Sequence, residues 1–139
     1  MDRLRSSRQA AAADPQATVV LSAVDPANPY GWLLPWPNRE PAEGSPRRVA
    51  GASVVLVDGE AALFLDKGGK RMLTFPAADS PSVFSAAARA LRSVAARQRG
   101  KALRIEKIDG VAARTSPRAE QLRQADFASD LRGLTLEVR

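Results

Sequence analysis

Neither histidine nor cysteine occurs among the 139 residues, which removes the usual general base, the thiolate nucleophile and the commonest transition-metal ligands. The acidic residues Asp58, Glu60, Asp66, Glu106, Asp109, Glu120, Asp126, Asp130 and Glu137 stand singly, several in turns. Their linear spacing supports no acid–base pair. The serines lack a nucleophile-elbow context and a histidine partner. Lys67-Gly68-Gly69-Lys70 reads as a hairpin with no helix N-terminus behind it to present amides to phosphate, so it is no phosphate loop. No catalytic residue, metal site or cofactor is expected in the chain itself.

Binding chemistry remains. The run Asp25-Pro26-Ala27-Asn28-Pro29-Tyr30-Gly31-Trp32-Leu33-Leu34-Pro35-Trp36-Pro37 holds both tryptophans and the only tyrosine. Its rings suit a rigid staple over a sheet, with the phenol and indole donors finding backbone partners. They also suit a platform that stacks unpaired bases at about 1–3 kcal/mol each. The structural use is favoured, with Asp25, Asn28, Tyr30, Gly31, Trp32 and Trp36 as the residues that define the loop. The second resource is charge. Lys and Arg number 21 against 15 Asp and Glu, a net +6 with pI near 10.7. The excess lies wholly after residue 80. A basic surface points to nucleic acid or another polyanion, although a bias to Arg over Lys can equally reflect base composition of the genome.

The elements that must position these residues follow from punctuation and periodicity. Residues 1–16 read as a flexible N-terminal segment or linker, and 17–139 as a single domain. Ala17–Val24 is a short strand stopped by Asp25-Pro26. The proline-rich loop then runs to Pro46, with a mobile tip over 39–48. Ala52–Val57, Ala61–Asp66 and Arg71–Phe75, separated by Asp58-Gly59 and the Gly68-Gly69 pair, form an antiparallel meander. Its first strand is apolar on both faces, as a central strand requires. A helix capped near Ser80-Pro81 and stopped at Gly100 buries Phe84, Ala87, Ala88, Leu91, Val94 and Ala95. Its other side carries Arg89, Arg92, Arg97 and Arg99, extended by Lys101, as the candidate nucleic-acid contacts. Cations toward a helix C-terminus also favour its dipole, so a purely structural account stands beside that one. Leu103–Ile108 and Val111–Arg114 flank Asp109-Gly110 as a hairpin. Ser116-Pro117 opens a second helix to about Ala125 with Leu122 inward, and Leu134, Leu136 and Val138 alternate in a last strand. The order is β-loop-βββ-α-ββ-α-β, an α+β domain on a mostly antiparallel, barrel-like sheet with two helices.

These residues resemble a known family. Asp25–Pro37, Arg48-Val49-Ala50-Gly51-Ala52 leading into Val55-Leu56-Val57-Asp58-Gly59, Leu73-Thr74-Phe75, Ile105-Glu106-Lys107-Ile108-Asp109-Gly110, Ala125-Asp126-Phe127 and Arg132-Gly133-Leu134 are similar to the extreme C-terminal region of the bacterial large helicase-related (Lhr) proteins. The resemblance spans about residues 18–138, and its most specific part is the Asp-Pro-Ala-Asn-Pro-Tyr-Gly run followed by Pro-Trp-Pro. The family usually has Ala-Gly-Phe where this chain has Ala125-Asp126-Phe127, a strained substitution if that glycine caps a helix. The resemblance implies a non-catalytic accessory module of an ATP-dependent DNA-repair helicase of the DEAD/DEAH-box class. The ATP and magnesium site of the parent lies in motor domains with no counterpart here. Its implied partners are DNA, held weakly and without sequence preference, and neighbouring winged-helix domains. A part in a glycosylase-like base-excision site built with other domains, or a purely structural cap or oligomerisation module, are the alternatives. Gln121 and Gln124 lie on a predicted surface helix, and the family's catalytic glutamines fall outside this module. No apolar stretch is long enough for a membrane span, and Met1–Ala13 has no signal-peptide core. The expected location is the cytoplasm, at the nucleoid, with no membrane partner.

Overall fold

Val54, Val55, Leu56 and Val57 are all buried, and consecutive buried residues on a strand require cover on both faces. The computed structural model, which describes residues 17–37, 46 and 48–138, shows what supplies it. The segment 1–16 and the 39–48 tip, apart from Pro46 and Arg48, lie outside the described residues. Strands β1 (Thr18–Ser22), β2 (Ser53–Val57), β3 (Glu60–Leu65) and β4 (Arg71–Thr74) pair antiparallel in sequence order. Val55, Val57, Leu63 and Leu65 belong to one core cluster, and Val54, Leu56 and Phe64 to the other. The pleat therefore sorts alternate residues to two cores. A bulge between Val55 and Leu56 leaves Ala62 of β3 as the extra residue in the ladder.

Helix α1 (Pro81–Arg97) covers the first face with Phe84, Ala87, Ala88, Leu91, Val94 and Ala95, the six residues its periodicity marks as inward. The Asp25–Pro37 loop covers the second face, where Tyr30 joins the buried cluster and Trp36 packs against it. The turns behave as their residues dictate. Asp58 and Gly59 have φ of 51° and 87°, and Asp109 and Gly110 have 52° and 83°, the paired positive values of a type I′ hairpin.

The sheet does not close into a barrel. With β6 (Lys107–Ile108) and β7 (Val111–Ala112) it runs β1-β2-β3-β4-β6-β7, β1 and β7 being its edges, and β5 (Ala102–Ile105), β9 (Leu134–Glu137) and β8 (Ala128–Ser129) form a separate three-stranded sheet in the order β5-β9-β8. The cause is at Glu106. Its amide and that of Lys107 both donate to the Lys70 carbonyl, at 2.7 and 3.1 Å. They draw β6 parallel to β4, whereas β5 stays on β9. Leu103–Ile108 is thus two strands in two sheets, and only its Lys107–Ile108 end is an arm of the expected Asp109-Gly110 hairpin. The chain turns back through β7. Leu103, Ile105, Leu134 and Leu136 share the α1-side core, so the small sheet seals that side.

The second helix, α2 (Ala119–Gln124), begins two residues after Pro117 and buries Leu122. The Asp126 amide donates to the Arg123 carbonyl at 3.0 Å, and the Phe127 amide to the Leu122 carbonyl at 3.1 Å. Leu122 and Phe127 meet in the core. This is a Schellman cap, whose left-handed position is best filled by glycine, and Asp126 sits in it at φ 78°. Its ion pair with Arg92, at 3.9 Å between largely exposed groups, returns little. Asp126→Gly is expected to stabilise the domain by about 0.5–1 kcal/mol, the left-handed penalty less the extra backbone entropy of glycine. An unchanged or lower urea midpoint would refute that account.

Candidate nucleic-acid interface

The proline-rich loop is tied by one side chain. Asn28 is fully buried; its amide donates to the Ala23 carbonyl at 2.9 Å and its Oδ1 accepts the Tyr30 amide at 3.1 Å. Its backbone carbonyl accepts the Trp32 indole N–H at 2.7 Å and an Arg48 guanidinium N–H at 2.7 Å. Asp25 opens the loop with an Asx turn, Oδ1 accepting the Ala27 amide at 2.8 Å. Arg48 also donates to the Tyr30 carbonyl at 3.1 Å. Gly31 lies beneath this knot with φ +90°, where a Cβ would come within 2.9 Å of both Arg48 and the Trp36 indole nitrogen.

The two tryptophans have different surroundings. Trp36 stacks between Tyr30 and Phe75, with ring centroids 5.9 Å away on each side, and meets Phe64 edge-on at 5.6 Å. It is the staple. Trp32 is 56% exposed, and the Arg48 guanidinium lies 5.5 Å from its ring centroid. Beside it Leu33 and Leu34 are exposed as well. The structural use, weighed for the loop as a whole, falls on Trp36, and Trp32 is left exposed.

Arg89, Arg92 and Arg97 are exposed on the side of α1 opposite its buried stripe. Helix α1 ends at Arg97, because Gln98 turns extended, so Arg99 and Lys101 sit in the following 3-10 turn and not on the helix. Lys101 is exposed; the Arg99 side chain lies outside the described residues. Arg92 reaches Asp126, whereas among the described residues Arg89, Arg97 and Lys101 take part in no ion pair.

Two polar centres escape sequence reasoning. Arg118 is built into the fold: it donates to the Ala78 carbonyl at 2.8 Å, pairs with Asp79 at 3.0 Å and lies 4.8 Å from the Phe84 ring centroid. Only its place after Ser116-Pro117 hints at this. Asp130 organises the β8–β9 turn. One carboxylate oxygen accepts the Arg132 and Gly133 amides at 2.8 and 3.0 Å, and the other accepts the Thr135 hydroxyl at 2.8 Å. Arg104 adds an ion pair at 3.5 Å. The Arg132 amide, then Thr135, Gly133 and Arg104 hold the Asp130 carboxyl at a pKa of about 2 instead of 3.8. A carboxyl depressed in the folded state stabilises above its unfolded pKa and loses that contribution as pH falls through the folded value. The turn is therefore expected to weaken as pH drops from 3.8 toward about 2. Stability measured against pH should lose part of this acid limb in Asp130→Asn; identical limbs in both proteins would contradict the assignment.

Among the described residues no three His, Cys, Asp or Glu side chains are grouped to hold a metal ion, and no helix is long and apolar enough to cross a membrane. Fold and surface together define a small arginine-bearing α+β module. No protein-family model matches it. The sequence is 39% identical over 138 residues, 96% of the chain, to the "Lhr helicase/uracil glycosylase" of Escherichia coli (strain K12). It is 45% identical over 117 residues, 81% of the chain, to the "Lhr helicase/ probable uracil glycosylase" of Mycolicibacterium smegmatis (strain ATCC 700084 / mc(2)155). The chain belongs with the Lhr helicases, matching a C-terminal module of them. It spans only 9% and 7% of the length of these two relatives.

Proposed function

We propose that the chain is an accessory, DNA-contacting module of an Lhr-type helicase, without catalytic groups or a cofactor of its own. ATP and magnesium belong to motor domains elsewhere in such a protein, and neighbouring winged-helix domains are its protein partners. It works in the cytoplasm at the nucleoid. The observation that carries this reading is the set of exposed cations Arg89, Arg97 and Lys101, without an ion pair among the described residues, on and just beyond the outer side of α1. They would contact phosphates and read no sequence.

A salt titration of DNA binding by this chain tests it. Binding is expected to be weak, indifferent to sequence, and to fall with salt at a slope of about −0.7 to −0.9 per phosphate neutralised. The pair Arg89→Ala/Arg97→Ala should flatten the slope by about one to two units without lowering the melting temperature. Undetectable binding at low ionic strength would favour the structural-cap reading. The glycosylase named in both relatives motivates a second reading, a share in a base-excision site built jointly with domains outside this chain. Trp32 is the exposed ring such a site would use.

A further inference from the structure

We propose that the groove between the β7 end, α2 and the β8–β9 turn seats the phosphodiester backbone of a nucleic-acid strand, gripped by Arg114, Arg123 and Arg132. The groove has a volume of about 450 Å³ and is lined by Arg114, Arg123 and Arg132 with Glu106, Ser129 and Leu131 among others. Its size lies toward the lower end of small-ligand sites, about 300–1,000 Å³, and suits one or two units of a polymer passing through.

Three features make it a better anion seat than the convex outer side of α1. The arginines come from three separate elements: Arg114 from the 3-10 turn 113–115, Arg123 from the last turn of α2, and Arg132 from the β8–β9 turn. A concave wall with an excess of positive charge concentrates the field that a convex helix surface spreads. Two of the three are held in place. Arg123 donates through Nε to the Ser129 hydroxyl at 3.0 Å, and the Arg132 backbone is fixed by Asp130 at 2.8 Å. Arg114 and Arg132 are exposed, and their guanidiniums have no partner among the described residues. Guanidinium forks match phosphate oxygens in pairs, so an unpaired Arg on a fixed backbone is suited to this contact. Two carboxylates oppose them: Glu106 in the lining, and Glu120, which pairs with the Arg123 guanidinium at 3.5 Å. The groove lies apart from the aromatic loop and contains none of the cations assigned to α1.

This inference rests on the DNA-contacting reading above, and one set of measurements separates the two. Fluorescence anisotropy of a labelled oligothymidylate is followed through a salt titration with four forms of the chain. In Arg114→Ala/Arg132→Ala the Kd should rise about tenfold or more at low salt. Its salt slope should flatten by about 1.4, two single-strand phosphates at about 0.7 each. Glu106→Gln, which removes one opposing charge, should bind more tightly than the unaltered chain. Unchanged urea midpoints establish that these surface variants fold. If the unaltered chain binds and Arg89→Ala/Arg97→Ala loses affinity while the groove pair keeps its slope, the groove proposal is overturned and the DNA-contacting reading survives. No binding by the unaltered chain would sink both. Binding of polyglutamate as tightly as oligothymidylate would overturn the nucleic-acid assignment in favour of an acidic protein segment.

Discussion

Trp36→Ala is expected to cost about 3–4 kcal/mol of stability and to leave single-strand affinity unchanged. Large-to-small replacements of buried Trp or Phe cost about 3–5 kcal/mol, and Trp36 is half-buried, which places it in the lower part of that range. Its ring has aromatic neighbours on three sides, Tyr30 and Phe75 at 5.9 Å and Phe64 at 5.6 Å, each such pair contributing about 0.5–1.5 kcal/mol beyond the area it buries. Removal would also release the loop from the second face of the sheet and leave Val54 and Leu56 half uncovered. Trp32→Ala should behave in the opposite way. An exposed ring whose indole N–H has one backbone acceptor contributes about 1 kcal/mol to the fold, and its loss should be read chiefly in affinity for unpaired bases if the ring stacks on them. Urea melts and binding curves on the two variants resolve the loop ring by ring. A stable Trp36→Ala protein that has lost affinity would reverse the assignment of the two rings.

Much of the frame is legible in short-range signals. Asp58-Gly59 demands a left-handed pair and thereby a tight hairpin, and the continuous apolar run Val54–Val57 demands two covered faces. The spacing Phe84, Ala87, Ala88, Leu91, Val94, Ala95 fixes which side of α1 turns inward. Each requirement is written in a short stretch of sequence, even where the residues that meet it, such as α1 and the Asp25–Pro37 loop over Val54–Val57, lie elsewhere in the chain. The barrel expectation failed because closure depends on where Leu103–Ile108 pairs, and that is decided by the Lys70 carbonyl far back in the chain. One trace was present. Leu103 and Ile105 keep the period of two, but the next buried residue is Ile108 and not Lys107. That slip of one position marks the change of sheet. Strand β8 has only two residues, both exposed, so hydrophobic alternation could not announce it. The candidate sites divide similarly. Asn28 and Trp36 stand out by type and by the prolines around them, whereas the convergence of Arg114, Arg123 and Arg132 needs the third dimension.

Gly133→Ala is expected to destabilise the domain by about 3 kcal/mol or more, although Gly133 has no positive φ and alanine is the smallest side chain available. The obstacle is the neighbouring backbone. A Cβ at Gly133 would overlap the Ile105 carbonyl oxygen and come within 3.0 Å of its carbon and 3.1 Å of the Glu106 Cα. A flexible side chain could swing aside, but these atoms belong to the point where the chain leaves β5 for β6. Relief requires the β5–β9 ladder to open at the Ile105–Leu134 pair or the Asp130 turn to give up its bonds to Gly133, 3.0 Å from carboxylate to amide and 2.9 Å from carbonyl to the Asp130 amide. Overpacking of a rigid site costs about 1–3 kcal/mol and occasionally more, and backbone clashes lie at the upper end. The same displacement would move Leu131 and Arg132 at the rim of the arginine groove, so DNA affinity should fall together with stability. Gly59→Ala is the control, since Gly59 has φ +87° with nothing within 4 Å of its would-be Cβ. It should lose only the left-handed penalty less the backbone entropy that alanine saves, about 0.5–1 kcal/mol. Urea midpoints of the two variants read side by side test the distinction between a glycine needed for its backbone angle and one needed for close approach. A Gly133→Ala protein as stable as Gly59→Ala would mean that β5 and β9 can separate freely at this crossing, and the split into two sheets would then not depend on the contact between Gly133 and Ile105.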